Sequence, residues 1–387
     1  MMLSKKMEEL TSAIFTELNL RKCELLSQGK EVIDFSIGTP DLPPSPRVIE
    51  TLLNECKDLN NYKYAINDSP ELIAAVIQWY SKRYNVTLKE NEIVSLLGSQ
   101  SGFSELALAL VDPGDTVLVP DPSYPIFSIG PLLAGANLYK MPLKKENNYI
   151  VDLKAIPAEI AKKAKLMVVS YPNNPTASVA NRAFYIDLIA FAKKYDIIVL
   201  HDNAYSELIF TGEPGESFLS LPGAKDVGLE FNSLSKTYSI PGCRIAFALG
   251  NEKLIGGLKT IKSHVDYGMF IPFQKVAVEL LSSYEADVAQ VRETYRKRRD
   301  LLVNGLNEIG WTIELSQGSM FVWAPIPSNF TSSVDFTFEL MNKTGVIVVP
   351  GVSFGENGEG YVRIALIQKE ELILKAIEKI KNSNILK

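Results

Sequence analysis

Cysteine is scarce, with three in 387 residues at Cys23, Cys56 and Cys243. So few thiols cannot build a disulfide framework, and they read as free thiols in a reducing compartment. Histidine is scarcer still, with only His201 and His264. No His, Cys or Asp cluster has the spacing of a metal site, so no metal is assigned. With these two the only histidines, a serine or cysteine triad has little support. Basic excess is missing too: Lys+Arg is 40 against Asp+Glu 45, a net charge of −5. That balance leaves no footprint for nucleic acid, and the short basic run at 296–299 sits in a helical context. No window approaches the roughly 18 apolar residues of a membrane span. The opening MMLSKKMEEL is charged where a secretion signal would be apolar. These absences predict a cytoplasmic globular protein with neither nucleic-acid nor membrane partners.

Hydrophobic residues make up 46% and charged residues 22%, which excludes a disordered or fibrous chain. The length suits an enzyme of two lobes. Strand-like runs fall at 92–97, 116–119, 165–170, 197–200, 227–231 and 245–249, several of them continuously apolar, as strands buried on both faces are. Helix-like segments at 71–84, 102–110, 182–195 and 252–264 lie between them. This alternation predicts a doubly wound, mostly parallel sheet. After about residue 270 the pattern changes. A long helix is expected over 274–307, then strands at 312–314, 320–323, 346–349 and 362–365, with helices at 334–343 and 370–381. The segment SIGTPDLPPSP at 36–46 is extended and Pro-rich, and is expected with the second lobe or along the crevice.

In open α/β sheets, ligands sit beyond the carboxyl ends of the strands, so the residues after each run matter most. Gly98-Ser99-Gln100-Ser101-Gly102 is a small-residue turn opening a helix, either an ordinary cap or a phosphate cradle. Tyr171-Pro172-Asn173-Asn174-Pro175-Thr176 is a tight turn that places an Asn side chain at the sheet edge. Asp202 follows an apolar run and precedes Tyr205 by three residues; it either caps the strand or faces a buried cation. Lys236, within Ser233-Leu234-Ser235-Lys236-Thr237-Tyr238, follows a buried strand, where partial burial lowers an amine's pKa and makes it nucleophilic. Arg244 lies eight residues further on, suited to an anion. Arg363, flanked by Val362 and Ile364, is either ion-paired or waits for a carboxylate.

In this order, over nearly the whole chain, these elements resemble the fold-type I aminotransferases that use pyridoxal 5'-phosphate (PLP). DPSYPIF at 121–127, LLAGANLY at 132–139, YPNNPT at 171–176, GAKDVGLEFNSLSKTY at 223–238 and YRKRRDLL at 295–302 are most similar to the LL-diaminopimelate aminotransferase branch. The resemblance implies an α/β fold: a large domain with a seven-stranded, mostly parallel sheet between helices, plus a smaller α+β domain. It divides the chain into an arm and part of the small domain (1–45), a PLP-binding domain (46–275), and a linker helix with the small C-terminal domain (276–387).

The resemblance also implies roles. Lys236 would hold PLP as a Schiff base and carry the substrate's α-proton. Asp202 would keep the pyridine nitrogen protonated, with Asn174 and Tyr205 bonding the phenolic oxygen and Tyr124 stacking on the ring. Ser99, Gln100, Ser233, Ser235 and Arg244 would bind the phosphate, joined by Tyr64 of a neighbouring subunit in a homodimer. Arg363, Asn174 and the backbone at Gly38 would hold the substrate α-carboxylate. The implied activity is amino-group transfer between an L-amino acid and a 2-oxo acid such as 2-oxoglutarate, by a ping-pong route.

Four positions depart from that branch. Ser101 stands where an acidic residue is usual, Cys243 replaces Trp, Ala177 replaces Gly, and Tyr267-Gly268-Met269-Phe270 replaces a smaller stretch. Expected near the pocket, they speak against diaminopimelate, and Tyr267, Met269 and Phe270 tilt the donor towards apolar or aromatic amino acids. Two rivals share the motifs. A carbon–sulfur β-lyase would release pyruvate and ammonia without a 2-oxo acid. A non-catalytic binding relative, such as a regulator's effector lobe, would need an appended DNA-binding domain, for which the chain before residue 36 leaves no room.

Overall fold

The computed structural model describes residues 4, 6–10, 13–212, 215–282 and 285–387. Seven strands form the main sheet, in the spatial order Ile93–Leu97, Ile245–Gly250, Gly228–Ser233, Ile198–Asp202, Ala164–Ser170, Thr116–Asp121 and Asn137–Pro142. Neighbours run parallel except at Ile245–Gly250, which is antiparallel to both strands beside it.

Side chains alternate across a strand, and here both faces are apolar. Leu118, Met167, Val169, Val199 and Phe247 pack with the helices Pro70–Tyr84, Arg182–Tyr195 and Ile271–Ser282. Val117, Val119, Leu166, Val168, Leu200 and Ala248 pack with Ser99–Leu110, Ile126–Ala134 and Glu252–Val265. Six of the seven strands correspond to apolar runs read from the sequence. The seventh, Asn137–Pro142, lies at the sheet edge with only Met141 buried, so it carries no apolar run to betray it.

A second core gathers Tyr295, Leu302, Val303 and Leu306 of the helix Glu285–Glu308 with Phe321, Val322, Phe336, Leu340, Ile364 and Ile373. Its antiparallel sheet is Val349–Pro350, Tyr361–Ala365 and Phe321–Pro325. The strand Ile33–Asp34 pairs in parallel with Val346–Ile347, tying the N-terminal segment to this unit. From there the extended chain runs along the crevice.

Two expectations need correcting. Residues 312–314 form no strand, because Asn307 takes their backbone groups: its Oδ1 accepts from Ile313 N at 2.7 Å and its Nδ2 donates to Ile313 O at 3.1 Å. The helix expected over 274–307 begins at Ile271 and is described as Ile271–Ser282 and Glu285–Glu308, with 283–284 outside the described residues.

Ala177, where the resemblance expects Gly, is fully buried at φ 58°, a left-handed conformation that strains any side chain. Ala177→Gly is expected to stabilise the fold by roughly 1 kcal/mol, read as a higher denaturation midpoint. An unchanged or lower midpoint would show that the turn is not strained.

Candidate active site

Asp202 ends its strand, and alternation sends it to the opposite face from His201. His201 is fully buried, its Nδ1 3.0 Å from Glu230 and its Nε2 3.1 Å from the Tyr185 hydroxyl. It belongs to the packing behind the sheet. Asp202 faces a cavity of about 600 Å³ beyond the strands' carboxyl ends. Of the thirteen residues singled out from the sequence, all but Tyr64 line it: Gly38, Ser99, Gln100, Tyr124, Asn174, Asp202, Tyr205, Ser233, Ser235, Lys236, Arg244 and Arg363.

Lys236 is presented by a single turn of helix, Leu234–Thr237, capped by Ser233, whose Oγ accepts from Ser235 N at 3.2 Å. Its Nζ donates to the Gly38 carbonyl at 2.8 Å. Burial, then the charges of Arg363 and Arg244, push its pKa down to about 8. An amine must be neutral to attack a carbonyl, and neutral amine appears as pH rises through the pKa. The rate at which PLP attaches to the apoprotein should therefore rise about tenfold per unit up to pH near 8 and then level off. A rise continuing past pH 10 would mean an ordinary lysine.

Gly98, at φ 82°, begins the helix Ser99–Leu110. The guanidinium of Arg244 lies against it so closely that a Cβ there would collide with Nη2. The turn thus sets free N–H groups, the positive helix end and a cation around one small space. Tyr124 stands above it, its hydroxyl donating to Gln100 Oε1 at 3.2 Å, and burial raises its pKa. Tyr205 is buried edge-on against Phe321, with its pKa also raised by burial.

Arg363 is buried, with Nη1 donating to Asn174 Oδ1 at 3.1 Å and Nη2 to the Ser36 carbonyl at 2.7 Å. The rings of Phe321 and Phe354 flank its guanidinium at 4.3 and 4.7 Å. Burial lowers its pKa to about 10. The two phenylalanines and Ser36 were not foreseen. Phe321 sits in a run that reads simply as an apolar strand, and a backbone carbonyl leaves no mark in a sequence.

Among the described residues lining the cavity, Lys236, Arg244 and Arg363 are the cations and Asp202 is the one carboxylate. Such a site favours anions. Asp202 Oδ1 and Arg363 Nε are buried without a hydrogen-bond partner. Burial raises Asp202 to about 7, a carboxyl that lacks a cationic donor. An unpaired acceptor oxygen, a lysine of lowered pKa and an anion cradle together match the ring nitrogen, the aldehyde and the phosphate of PLP.

The aminotransferase class I and II model matches residues 30–380. The chain belongs to this family. It is similar to the LL-diaminopimelate aminotransferase of Moorella thermoacetica, 41% identical over 98% of this chain and 97% of that one. Substrate-bound BacF from Bacillus subtilis superposes with a TM-score of 0.95 at 35% identity, covering 99% and 98% of the two chains. A probable N-succinyldiaminopimelate aminotransferase from Thermus thermophilus gives 0.91 at 31%, covering 96% and 100%. The protein is a PLP-dependent aminotransferase of fold type I.

The departures fall in unexpected places. Ser101 Oγ turns back onto the Leu97 and Gly98 carbonyls at 3.2 and 3.0 Å, and the residue is not part of the cavity lining. Cys243 is half-buried and packs against the core. The Tyr267–Phe270 stretch, expected near the pocket, does not line this chain's cavity. Met269 is fully buried, Tyr267 pairs with Tyr64 at 5.5 Å, and Phe270 with Tyr62 at 5.6 Å. Tyr64 is 82% exposed on that outer face.

Proposed function

We propose that this aminotransferase moves an amino group from an L-amino acid to a 2-oxo acid, 2-oxoglutarate being the proposed acceptor, by a ping-pong route through the cavity at Asp202. The reading is supported above all by one observation: a lysine whose pKa burial lowers, a carboxyl with one unpartnered oxygen and a buried arginine meet in a single cavity. PLP, when bound, supplies the electron sink for the pair left on the substrate's α-carbon. Asp202 holds a proton on the ring nitrogen. Lys236 Nζ carries the α-proton, which its lowered pKa suits near neutral pH. Ser99, Gln100, Ser233, Ser235 and Arg244 fix the phosphate, Tyr124 covers the ring, and Asn174 and Tyr205 bond the phenolic oxygen. Arg363 grips the α-carboxylate with Asn174 and the backbone at Gly38.

The same proposal includes the division at 45/46 and 275/276, and a homodimer. Tyr62, Tyr64 and Ile66 are exposed by more than half, leaving an apolar face for a second copy. Tyr64 would then reach the neighbouring phosphate site.

Initial rates with both substrates varied test the route. Parallel double-reciprocal lines are expected, and intersecting lines, or pyruvate released without a 2-oxo acid, would overturn it. Arg363→Lys is expected to raise the donor KM about 10- to 100-fold, since a planar two-point grip is lost. An unchanged KM would remove Arg363 from the carboxylate site.

A further inference from the structure

We infer that Arg298, a residue outside the cavity, positions the backbone that meets the substrate's α-carboxylate, by clamping Asp41 at the far end of the segment that carries Gly38. The inference rests on the reading of Gly38 and Arg363 as the carboxylate site. Arg298 belongs to YRKRRDLL on the helix Glu285–Glu308, and Asp41 to SIGTPDLPPSP. Neither lines the cavity. Yet Arg298 is buried, and its planar fork grips this one carboxylate at two points. Nη1 donates to Asp41 Oδ1 at 2.6 Å and Nη2 to Oδ2 at 2.9 Å. Nη1 also donates to the Leu366 carbonyl at 3.1 Å, just beyond the strand Tyr361–Ala365 that carries Arg363. One guanidinium therefore ties the segment to the strand of the carboxylate arginine.

The segment transmits the clamp because it is stiff and held along its length. Phe35 N donates to the Ile347 carbonyl at 2.8 Å, and the Phe35 carbonyl accepts from Ala365 N at 2.9 Å. The Ser36 carbonyl accepts from Arg363 Nη2 at 2.7 Å. At Gly38 the backbone lies against the ring that flanks Arg363: a Cβ there would stand 3.0 Å from Phe321 Cζ. Between Gly38 and Asp41 come only Thr39 and Pro40. Proline fixes its own φ and keeps the residue before it extended. Pro40 is buried, and Pro43, Pro44 and Pro46 follow. A chain with so little slack lets the place of Asp41 set the place of Gly38. Lysine at 298 would keep the charge and lose the fork. A misplacement of about 1 Å at a reacting site can cost on the order of 10²-fold. The phosphate cradle at Gly98, Ser99 and Arg244 lies on other elements, so cofactor binding should not change.

Two amines without an α-hydrogen test this on the holoenzyme: 2-methylalanine, and tert-butylamine, which has a methyl group in place of the carboxylate. The readout is the concentration that half-shifts the cofactor's absorption band. Arg298→Lys should raise it about tenfold for 2-methylalanine and leave it unchanged for tert-butylamine, with the resting band unaltered. The donor KM should rise by a similar factor at nearly constant kcat, as when binding common to ground and transition states is lost. Asp41→Asn, at an exposed residue, should reproduce the pattern and carries the test if Arg298→Lys does not fold. In the double variant the losses should not add, because both remove one clamp. Unmoved binding of 2-methylalanine, equal losses for both amines, or additive losses would overturn the inference. Arg363→Lys separates it from the reading beneath it. If that variant abolishes the preference for 2-methylalanine and Arg298→Lys does not, the clamp alone is wrong. If neither moves the preference, the carboxylate site itself falls.

Discussion

Asp202→Ala is expected to lower kcat on the order of 10²- to 10³-fold, the usual loss when one preorganised electrostatic group is removed from an active site. The protein should still fold and bind PLP, because the phosphate cradle at Gly98, Ser99 and Arg244 is untouched. Stability separates this account from a structural role. Burial raises the folded carboxyl to about 7, well above the value of an unfolded aspartate. A raised folded pKa favours the protonated form. The stability it confers is therefore complete below about pH 4 and is lost as pH rises through about 7. The apoprotein should lose stability across that window, and Asp202→Asn should flatten the loss. Bound PLP should also flatten it, because a protonated ring nitrogen supplies the missing partner. Near-normal turnover in Asp202→Ala would contradict the assignment, as would an apoprotein whose pH–stability curve ignores both substitutions.

Lys236→Ala should cost more. Two functions are lost together: covalent attachment of the cofactor and transfer of the α-proton. General acid–base catalysis alone contributes about 10²- to 10⁴-fold, so kcat should fall by at least that range. Packing predicts little structural damage. The amine's one hydrogen bond is to the Gly38 carbonyl, on a segment also held by Arg363 through Ser36. The unfolding midpoint should be close to that of the parent, and PLP should bind without the absorption band of a lysine adduct. Retained turnover, or an unchanged band, would place the chemistry elsewhere.

The main sheet was legible where strands are buried on both faces, as at Ala164–Ser170, because their apolar runs leave no other reading. It was not legible at Asn137–Pro142, an edge strand with polar and half-exposed residues. In the site, residues that follow strands stood out because α/β geometry sends them to one edge. Asp202, Lys236 and the Gly98 turn all lie there. Three things stayed hidden. The Phe321–Arg363–Phe354 stack joins residues distant in sequence. The Ser36 and Gly38 carbonyls act through the backbone. Phe15 and Ile129 look like core residues until the fold opens a cavity beside them. The Tyr267–Phe270 stretch is absent from this chain's cavity and lies beside Tyr62 and Tyr64, on the face proposed to meet a second copy.

The most direct test is the absorption spectrum of the purified holoenzyme as amino acids are added singly without any 2-oxo acid. The account predicts that a donor amino acid bleaches the yellow band in a single stoichiometric turnover and yields its own 2-oxo acid. Adding 2-oxoglutarate should then restore the band. If no amino acid bleaches it, or the products are pyruvate and ammonia with no need of an acceptor, the amino-transfer reading of this site is wrong.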